Sequence, residues 1–339
     1  MAKILIIRLT SIGDVIFTLP LVNILKKNGH QVDFAVSERG KSIIENNPAI
    51  TKMHFIPLMK WRKEGFSYGE FFHIIRQIRS EKYDIALDCQ QMFKSLFLFW
   101  LCGAKRRITF KDARELSVLG GNEFIKPKAN FRDYNYHIVE RNLDFARHLG
   151  IEPDDISFPL PESNQDTKDK IKDLLKNIDP NKKTVVISPA TTWENKHWSI
   201  ENWKVTADFI SQKYNLILTG TNNDTELISK ISDKGLNLAG KTNLQELLEL
   251  FRNVDLVISP DSGSSNLAWS CGKPSLITIF TCTPSKRFGA YGNDKKYYTL
   301  QGNLDCQPCF KKKCKNKDFK CTKVTTPDEI IKIVNQVLG

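Results

Sequence analysis

Asp255-Leu-Val-Ile-Ser-Pro-Asp-Ser-Gly-Ser-Ser-Asn266 is the stretch on which the reading of the fold turns. A short apolar run, Leu256 to Ile258, leads into Ser259-Pro-Asp-Ser-Gly263, and an apolar, helix-competent stretch follows from Leu267 to Cys271. Strand, tight loop, helix is the order this predicts. Gly263 lets the backbone approach a ligand closely. A helix beginning there turns unpaired N–H groups outward, a setting that suits an anion. Asp261 is an acceptor suited to a sugar hydroxyl or an amide donor, so the loop fits a phosphate-bearing sugar compound. Taken alone, the stretch reads first as an ordinary βα turn with an Asp or Ser cap. The remainder of the chain changes that balance.

Outward from this loop the chain alternates strands and helices. In the first half, residues 3–9, 31–36, 53–58 and 83–87 read as strands. Residues 15–27, 71–80 and 92–102 read as helices. A polar, proline-containing stretch with Phe158-Pro-Leu-Pro-Glu162 reads as a linker. The alternation restarts with strands at 184–188, 216–219, 236–239, 255–259 and 275–280, and helices at 200–213, 224–231 and 244–251. This predicts an α/β protein of two doubly wound, Rossmann-like domains, residues 1–155 and 183–325. Residues 156–182 would link them, and a final helix would occupy the segment 326–339. Open α/β sheets bind ligands outside the carboxyl ends of their strands. Two such domains facing each other would place a central cleft between those ends, with the functional residues in βα loops.

Bulk properties narrow the class. The chain has 339 residues, 41% of them hydrophobic and 10% aromatic, enough for two substantial cores. Met1-Ala-Lys-Ile-Leu-Ile-Ile-Arg8 does not read as a signal peptide, and the longest apolar run, 96–102, is far too short to span a bilayer. A cytoplasmic protein is expected. Fifty basic against 38 acidic residues give a net charge of +12, which favours a polyanionic partner. Lys60-Trp-Arg-Lys63, Lys105-Arg-Arg107 and Lys311-Lys-Lys313 concentrate that charge. No nucleic-acid-binding signature accompanies them. An anionic membrane surface or an acidic glycolipid is therefore the favoured partner, and nucleic acid is not.

Three further loops carry chemistry. Arg8-Leu-Thr-Ser-Ile-Gly-Asp14 follows the first strand: Gly13 permits a tight turn, and Asp14 is either a plain helix cap or a carboxylate at the ligand site. A helix start favours the ionised carboxylate, which beside an acceptor hydroxyl is a general base. Ser188-Pro-Ala-Thr-Thr-Trp-Glu-Asn-Lys-His-Trp198 offers the hydroxyls of Thr191 and Thr192 and a mobile positive charge, Lys196, for a phosphate. In Thr281-Cys-Thr-Pro-Ser-Lys-Arg287, Lys286 and Arg287 either bind phosphate or face solvent. None of these is a GxGxxG or P-loop pattern, which speaks against a dehydrogenase or an NTPase.

At these segments the chain resembles the heptosyltransferase family, glycosyltransferase family 9. The matching segments are Arg8–Asp14, Ala190–Trp198, Asp261-Ser-Gly263 and Thr281–Pro284, in family order, with Cys306-Gln-Pro-Cys309 near the end. The resemblance implies a GT-B fold whose first domain binds acceptor and whose second binds ADP-heptose. The final helix often returns to the first domain in that fold. It implies inversion at the anomeric carbon without a catalytic metal or other required cofactor. Asp14 would be the general base; Thr191, Thr192, Lys196, Asp261, Ser262, Gly263, Asn266, Lys286 and Arg287 would line the ADP-sugar site. Arg8, Ser11, Gly13, Lys60 and Arg62 would serve the acceptor. That acceptor would be the acidic Kdo–lipid A inner core of lipopolysaccharide or a growing heptose chain, met at the inner face of the inner membrane. Asn266 departs from the His common in the family; Asn donates a hydrogen bond but cannot become cationic. A different nucleotide-sugar donor, a protein acceptor, a nucleotide-sugar epimerase of the same shape, or a non-catalytic nucleotide-sugar binder are the alternatives.

Of the eight cysteines, Cys89, Cys102, Cys271 and Cys282 sit in apolar segments and read as buried small residues. Cys306, Cys309, Cys314 and Cys321 form a Cx2C-x4-C-x6-C cluster. Four thiolates suit structural zinc or iron; unligated thiols or late-forming disulfides fit the spacing as well. Any such metal is expected to lie remote from the sugar chemistry.

Overall fold

The computed structural model describes residues 1–131, 133–292 and 294–339. The chain divides into two units, Met1–Glu162 and Ser163–Gly339, each built on a six-stranded sheet. Among the described residues no helix is long and apolar enough to cross a membrane.

The first unit runs β1 (Lys3–Ile7), α1 (Ile12–Ile16), α2 (Leu19–Lys27), β2 (Gln31–Val36), α3 (Lys41–Ile44), β3 (Lys52–Phe55), α4 (Leu58–Glu64), α5 (Tyr68–Ser80), β4 (Ile85–Asp88), α6 (Phe93–Leu101), β5 (Arg106–Phe110), β6 (Glu123–Ile125) and α7 (Ile138–His148). Its strand order is β3-β2-β1-β4-β5-β6, and each neighbouring pair is parallel. Ile4 to Ile7 of β1 are all fully buried, because a central parallel strand has helices on both faces; hence a continuous apolar run rather than an alternation. The single helix expected at 15–27 is two, since Pro20 cannot donate within a helix and occupies the first turn of α2 instead. The expected strand at 53–58 stops at Phe55, just before Pro57. Strands β5 and β6 and helix α7 have no counterpart in the sequence reading. In α7 the reason is physical: Arg141, Asn142 and Asp144 are buried beside Leu143 and Phe145, so the core face does not read as apolar.

The second unit runs α8 (Gln165–Leu174), β7 (Thr184–Ile187), α9 (Ile200–Lys213), β8 (Asn215–Leu218), α10 (Thr225–Ile231), β9 (Leu236–Asn237), α11 (Leu244–Arg252), β10 (Leu256–Pro260), α12 (Gly263–Cys271), β11 (Ser275–Phe280), α13 (Ser285–Phe288), β12 (Tyr297–Gln301) and α14 (Pro327–Leu338). Its order, β12-β11-β10-β7-β8-β9, is all parallel and repeats the order of the first sheet, with β7 in the place of β1 and β10 in the place of β4. Both are the Rossmann order, with the reversal of connection direction between the first and fourth strands.

Two expectations differ from the structure. The segment 156–182 is not all linker: α8 begins at its Asn164 cap and packs on α11, where Lys170 Nζ donates to both Glu246 carboxylate oxygens at 2.9 Å. The sheet does not close at β11, because β12 pairs along its whole length. Apart from these differences, the final helix α14 has a core face within the second unit, where Ile330 and Val334 pack with Trp203, Ala207 and Ile210. Trp198 Nε1 fastens the approach to α14 by donating to Thr325 O at 2.9 Å.

Candidate active site

In the second unit the loops after β7 and β10 meet at the reversal point. Ser188 Oγ, just past β7, donates to Ser264 Oγ at 2.7 Å in the first turn of α12. Ser262 caps that helix and forms a reciprocal box with Ser265. The box occupies the Ser265 N–H; Gly263 and Ser264 hold the other N–H groups that a helix start turns outward. No acidic residue stands in the first turn of α12 to compete with an anion. Beside it, Lys196 Nζ lies 2.5 Å from Asp261 Oδ2, and Thr283 Oγ1 donates to the same oxygen at 2.6 Å. The Lys196 and Asp261 side chains are 15% and 6% exposed, so the pair is poorly screened and held in place. The ammonium also lies 5.0 Å from the centre of the Trp193 ring.

The first unit solves the same position differently. Asp14 is the third residue of α1, and its Oδ2 accepts from Ser11 N at 2.9 Å and Ser11 Oγ at 3.0 Å. Thr18 Oγ1 donates to Asp14 O at 2.9 Å and accepts from the buried Arg8 Nε at 3.3 Å. The loop after β4 closes on this one: Gln90 Oε1 accepts from Leu9 N and Thr10 N, both at 2.9 Å, and Lys94 Nζ donates to Thr10 Oγ1. Burial holds the Lys94 and Arg114 cations below their usual range, and the Asp14 charge opposes that shift in both. Beneath the loop Asp88 is wholly buried, and burial raises its carboxyl to about 6 against the pull of backbone N–H groups and Arg8.

The sequence model of glycosyltransferase family 9 (heptosyltransferase) matches residues 71–320. The chain belongs to glycosyltransferase family 9. It is 27% identical to lipopolysaccharide heptosyltransferase 1 of Campylobacter coli, over 99% of both chains. The fold is that of the family 9 glycosyltransferase of Veillonella parvula, with a TM-score of 0.85 at 17% identity, covering 99% of this chain and 97% of that one. Escherichia coli heptosyltransferase WaaC, solved with ADP-2-deoxy-2-fluoro heptose, gives a TM-score of 0.73 at 20% identity over 98% and 99% of the two chains. The iron-containing dodecameric glycosyltransferase TibC of enterotoxigenic E. coli gives 0.57 at 15% identity, over 99% of this chain and 76% of that one. The protein is thus a glycosyltransferase with the GT-B type of fold, two Rossmann-like units.

Within this family 9 chain the expected residues fall unevenly. Lys196, Asp261, Ser262 and Gly263 come together. Thr191 is half-buried and Thr192 exposed on the same loop, and Asn266 is buried one turn into α12. Lys196, expected as a mobile charge, is paired with Asp261. Lys286 is exposed whereas its neighbour Arg287 is buried, so one does face solvent and the other does not. Arg8 and Ser11 lie between β1 and α1, and Gly13 and Asp14 follow in the first turn of α1. Lys60 and Arg62 lie apart from it on α4, with Lys60 paired to Glu70 at 3.1 Å. Sequence reasoning missed Gln90, Lys94 and Thr283. Their signal was positional: each follows the carboxyl end of a strand at or next to the reversal point.

The cysteine segment departs from expectation in its position. All eight thiols are free, and among the described residues no group of three or more His, Cys, Asp or Glu side chains is placed to hold a metal ion. Cys306 is exposed while Cys321 is buried. Burial first, then the neighbouring Cys282, Cys309, Cys306 and Cys314, push the Cys321 thiol up to about 12. The segment is not remote from the site. Asn195 Nδ2 donates to Lys311 O at 2.9 Å, Gln307 Nε2 to Thr281 O at 2.6 Å, and Phe310 N to Cys282 O at 2.8 Å. Thr281 Oγ1 closes the set by donating to Asn195 O at 2.5 Å. The segment therefore braces both the Lys196 loop and the Thr283 loop.

Proposed function

We propose that this family 9 enzyme transfers heptose from ADP-L-glycero-β-D-manno-heptose to the acidic inner core of lipopolysaccharide, with inversion and with no step passing through a metal. The observation that carries the reading is the Lys196–Asp261–Thr283 group beside the start of α12. An ammonium has three N–H donors. With one committed to Asp261, Lys196 keeps others for a diphosphate, and the pairing fixes where they sit. The Gly263 and Ser264 N–H groups add donors for the same charge. Thr191, Thr192, Ser262 and Asn266 complete the donor side, and Asn266 contributes hydrogen bonding without positive charge.

On the acceptor side Asp14 is the base. The acceptor hydroxyl gives its proton to the Asp14 carboxylate, and its oxygen attacks the anomeric carbon opposite the diphosphate. The bond from that carbon to the β-phosphate oxygen breaks, and its electron pair leaves with ADP. The two Ser11 donors hold the Asp14 carboxylate in one orientation until it takes the proton. Negative charge grows on the leaving diphosphate, where Lys196 and the helix-start N–H groups stabilise it more than in the ground state. Lys94, Arg8 and Arg114 give the acceptor side the positive charge that an acidic sugar or phosphate requires. The exposed Lys60 and Arg62 extend it. The enzyme works in the cytoplasm, at the inner-membrane face that presents the acceptor.

The test is incubation of purified protein with ADP-L-glycero-β-D-manno-heptose, with and without Kdo–lipid A, reading ADP release and glycolipid mass. Acceptor-dependent ADP with a mass gain of a single heptose is expected. Donor binding without product, on this acceptor and on a heptosylated one, would exclude a lipopolysaccharide acceptor. Absence of donor binding would sink the ADP-heptose reading and leave the fold and family untouched.

A further inference from the structure

Thirteen large apolar side chains are exposed among the described residues, and ten of them lie in two stretches of the first unit, 58–80 and 91–128. The same stretches carry thirteen Lys and Arg against five Asp and Glu, two thirds of the net charge of the chain. Helices α5 and α6 lie against one side of the first sheet, where Ile74, Ile78, Leu98 and Phe99 share a core with Leu5 and Ala86. The outer side of α6 is different. Phe93, Phe97 and Trp100, spaced i, i+4, i+7, form one stripe and are 53%, 47% and 54% exposed. Beside it the turn Ser117–Gly120 packs its backbone on Phe99 and Leu96 and leaves Leu116 and Leu119 outside.

We propose that this face docks on an anionic lipid bilayer, with the α6 stripe, Leu116 and Leu119 in the interfacial layer and the surrounding Lys and Arg on lipid phosphates. It rests on the proposed lipid-anchored acceptor and names the surface that meets it. Exposed apolar patches of this kind mark interaction sites. Aromatic side chains on a helix within a basic surround suit the interface between acyl chains and headgroups. Charge selects among occupants: a second copy of the chain would bring two strongly positive faces together, whereas anionic headgroups neutralise one. The face is also continuous with the acceptor loop. Lys94 follows Phe93 on α6 and donates to Thr10 beside Asp14, so a stripe seated in the interface holds the Asp14 loop at headgroup level.

Flotation of the full-length protein with phosphatidylcholine vesicles, with and without phosphatidylglycerol, tests this. The intact protein should float with the phosphatidylglycerol vesicles and be released by salt. Phe97→Ser combined with Trp100→Ser should weaken that partition about tenfold or more at unchanged melting temperature, and turnover on a soluble, delipidated acceptor should stay as it was. If the intact protein ignores both vesicles, or the double variant floats equally well, the docking face is wrong. A dimer in sedimentation equilibrium that the double variant dissolves would assign the face to a second copy and overturn the proposal. Vesicle binding requires no turnover, so failure of the transferase reading shows separately, in the soluble assay.

Discussion

The two units have the same strand order and place opposite charges at the same point of it. In the first, the loop after strand one carries the carboxylate, Asp14, and the loop after strand four brings the cation, Lys94. In the second, the loop after strand one carries the cation, Lys196, and the loop after strand four the carboxylate, Asp261. The way each is held differs as well. Asp14 is capped by its own Ser11 and its surroundings are basic, whereas Lys196 is clamped by Asp261 and braced from behind by residues 307–312. A Rossmann sheet thus fixes where loop residues gather, and the loop residues decide what gathers there: a carboxylate in basic surroundings in one unit, a cation clamped by a carboxylate in the other.

Substitution in the two loops breaks the comparison most sharply. Asp14→Asn should lower kcat by about 10²–10⁴-fold while ADP-heptose affinity measured by calorimetry stays unchanged. An equal loss of donor affinity would remove Asp14 from the acceptor side. Lys196→Ala should lower kcat by about 10²–10³-fold. Because Asp261 loses its partner, the added effect of Asp261→Asn in the same protein should be far smaller than its effect alone. Additive losses would mean that the two act independently. Lys94→Ala should raise KM for the acceptor by about tenfold, in line with the loss of one charge-assisted hydrogen bond, with little change for the donor; a donor effect would contradict the division of labour between the units.

The smallest effect concerns acid stability. In the first unit Glu81 is held at about 2 by Lys3 and Lys52, and Glu123 at about 2 by Arg106 and then His148. Both values are depressed from 4.5, so this stabilisation is complete above that pH and is lost as pH falls towards 2. Asp88 has the opposite sign: raised to about 6, it stabilises below its ordinary 3.8 and stops doing so as pH rises past 6. In the second unit the depressed carboxyls, Glu226 and Asp318, lie at the surface. Calorimetry between pH 5 and pH 3 should therefore show the transition of the first unit falling further than that of the second, and Glu81→Gln with Glu123→Gln should narrow the gap. Equal shifts in the two transitions would count against it.

Much of this was legible in the chain. Apolar runs bounded by glycine, proline and serine announced β1, β2, β4, β7, β8, β10 and β11, since a strand buried on both faces has no solvent side to encode. The loops after them stood out by residues that neither strand nor helix needs: Asp14, Lys196, Asp261. Helix α7 and the strands β5, β6 and β12 were silent, because their buried faces include Arg141, Asn142 and Asp144 or their strands are short and half-exposed.

The sequence by itself determined two doubly wound units, and which of their loops hold the residues proposed for the site. Both follow from local pattern: the period of the apolar residues and the chain-turning residues that end each run. Tertiary structure decided the partners. That Lys196 belongs to Asp261, 65 positions away, that Thr283 shares the same oxygen, that Gln90 closes over Leu9 and Thr10, and that the cysteine segment braces the Lys196 and Thr283 loops, are consequences of parallel pairing. Pairing sets strand ends distant in sequence side by side, and no local spacing records which ends will meet.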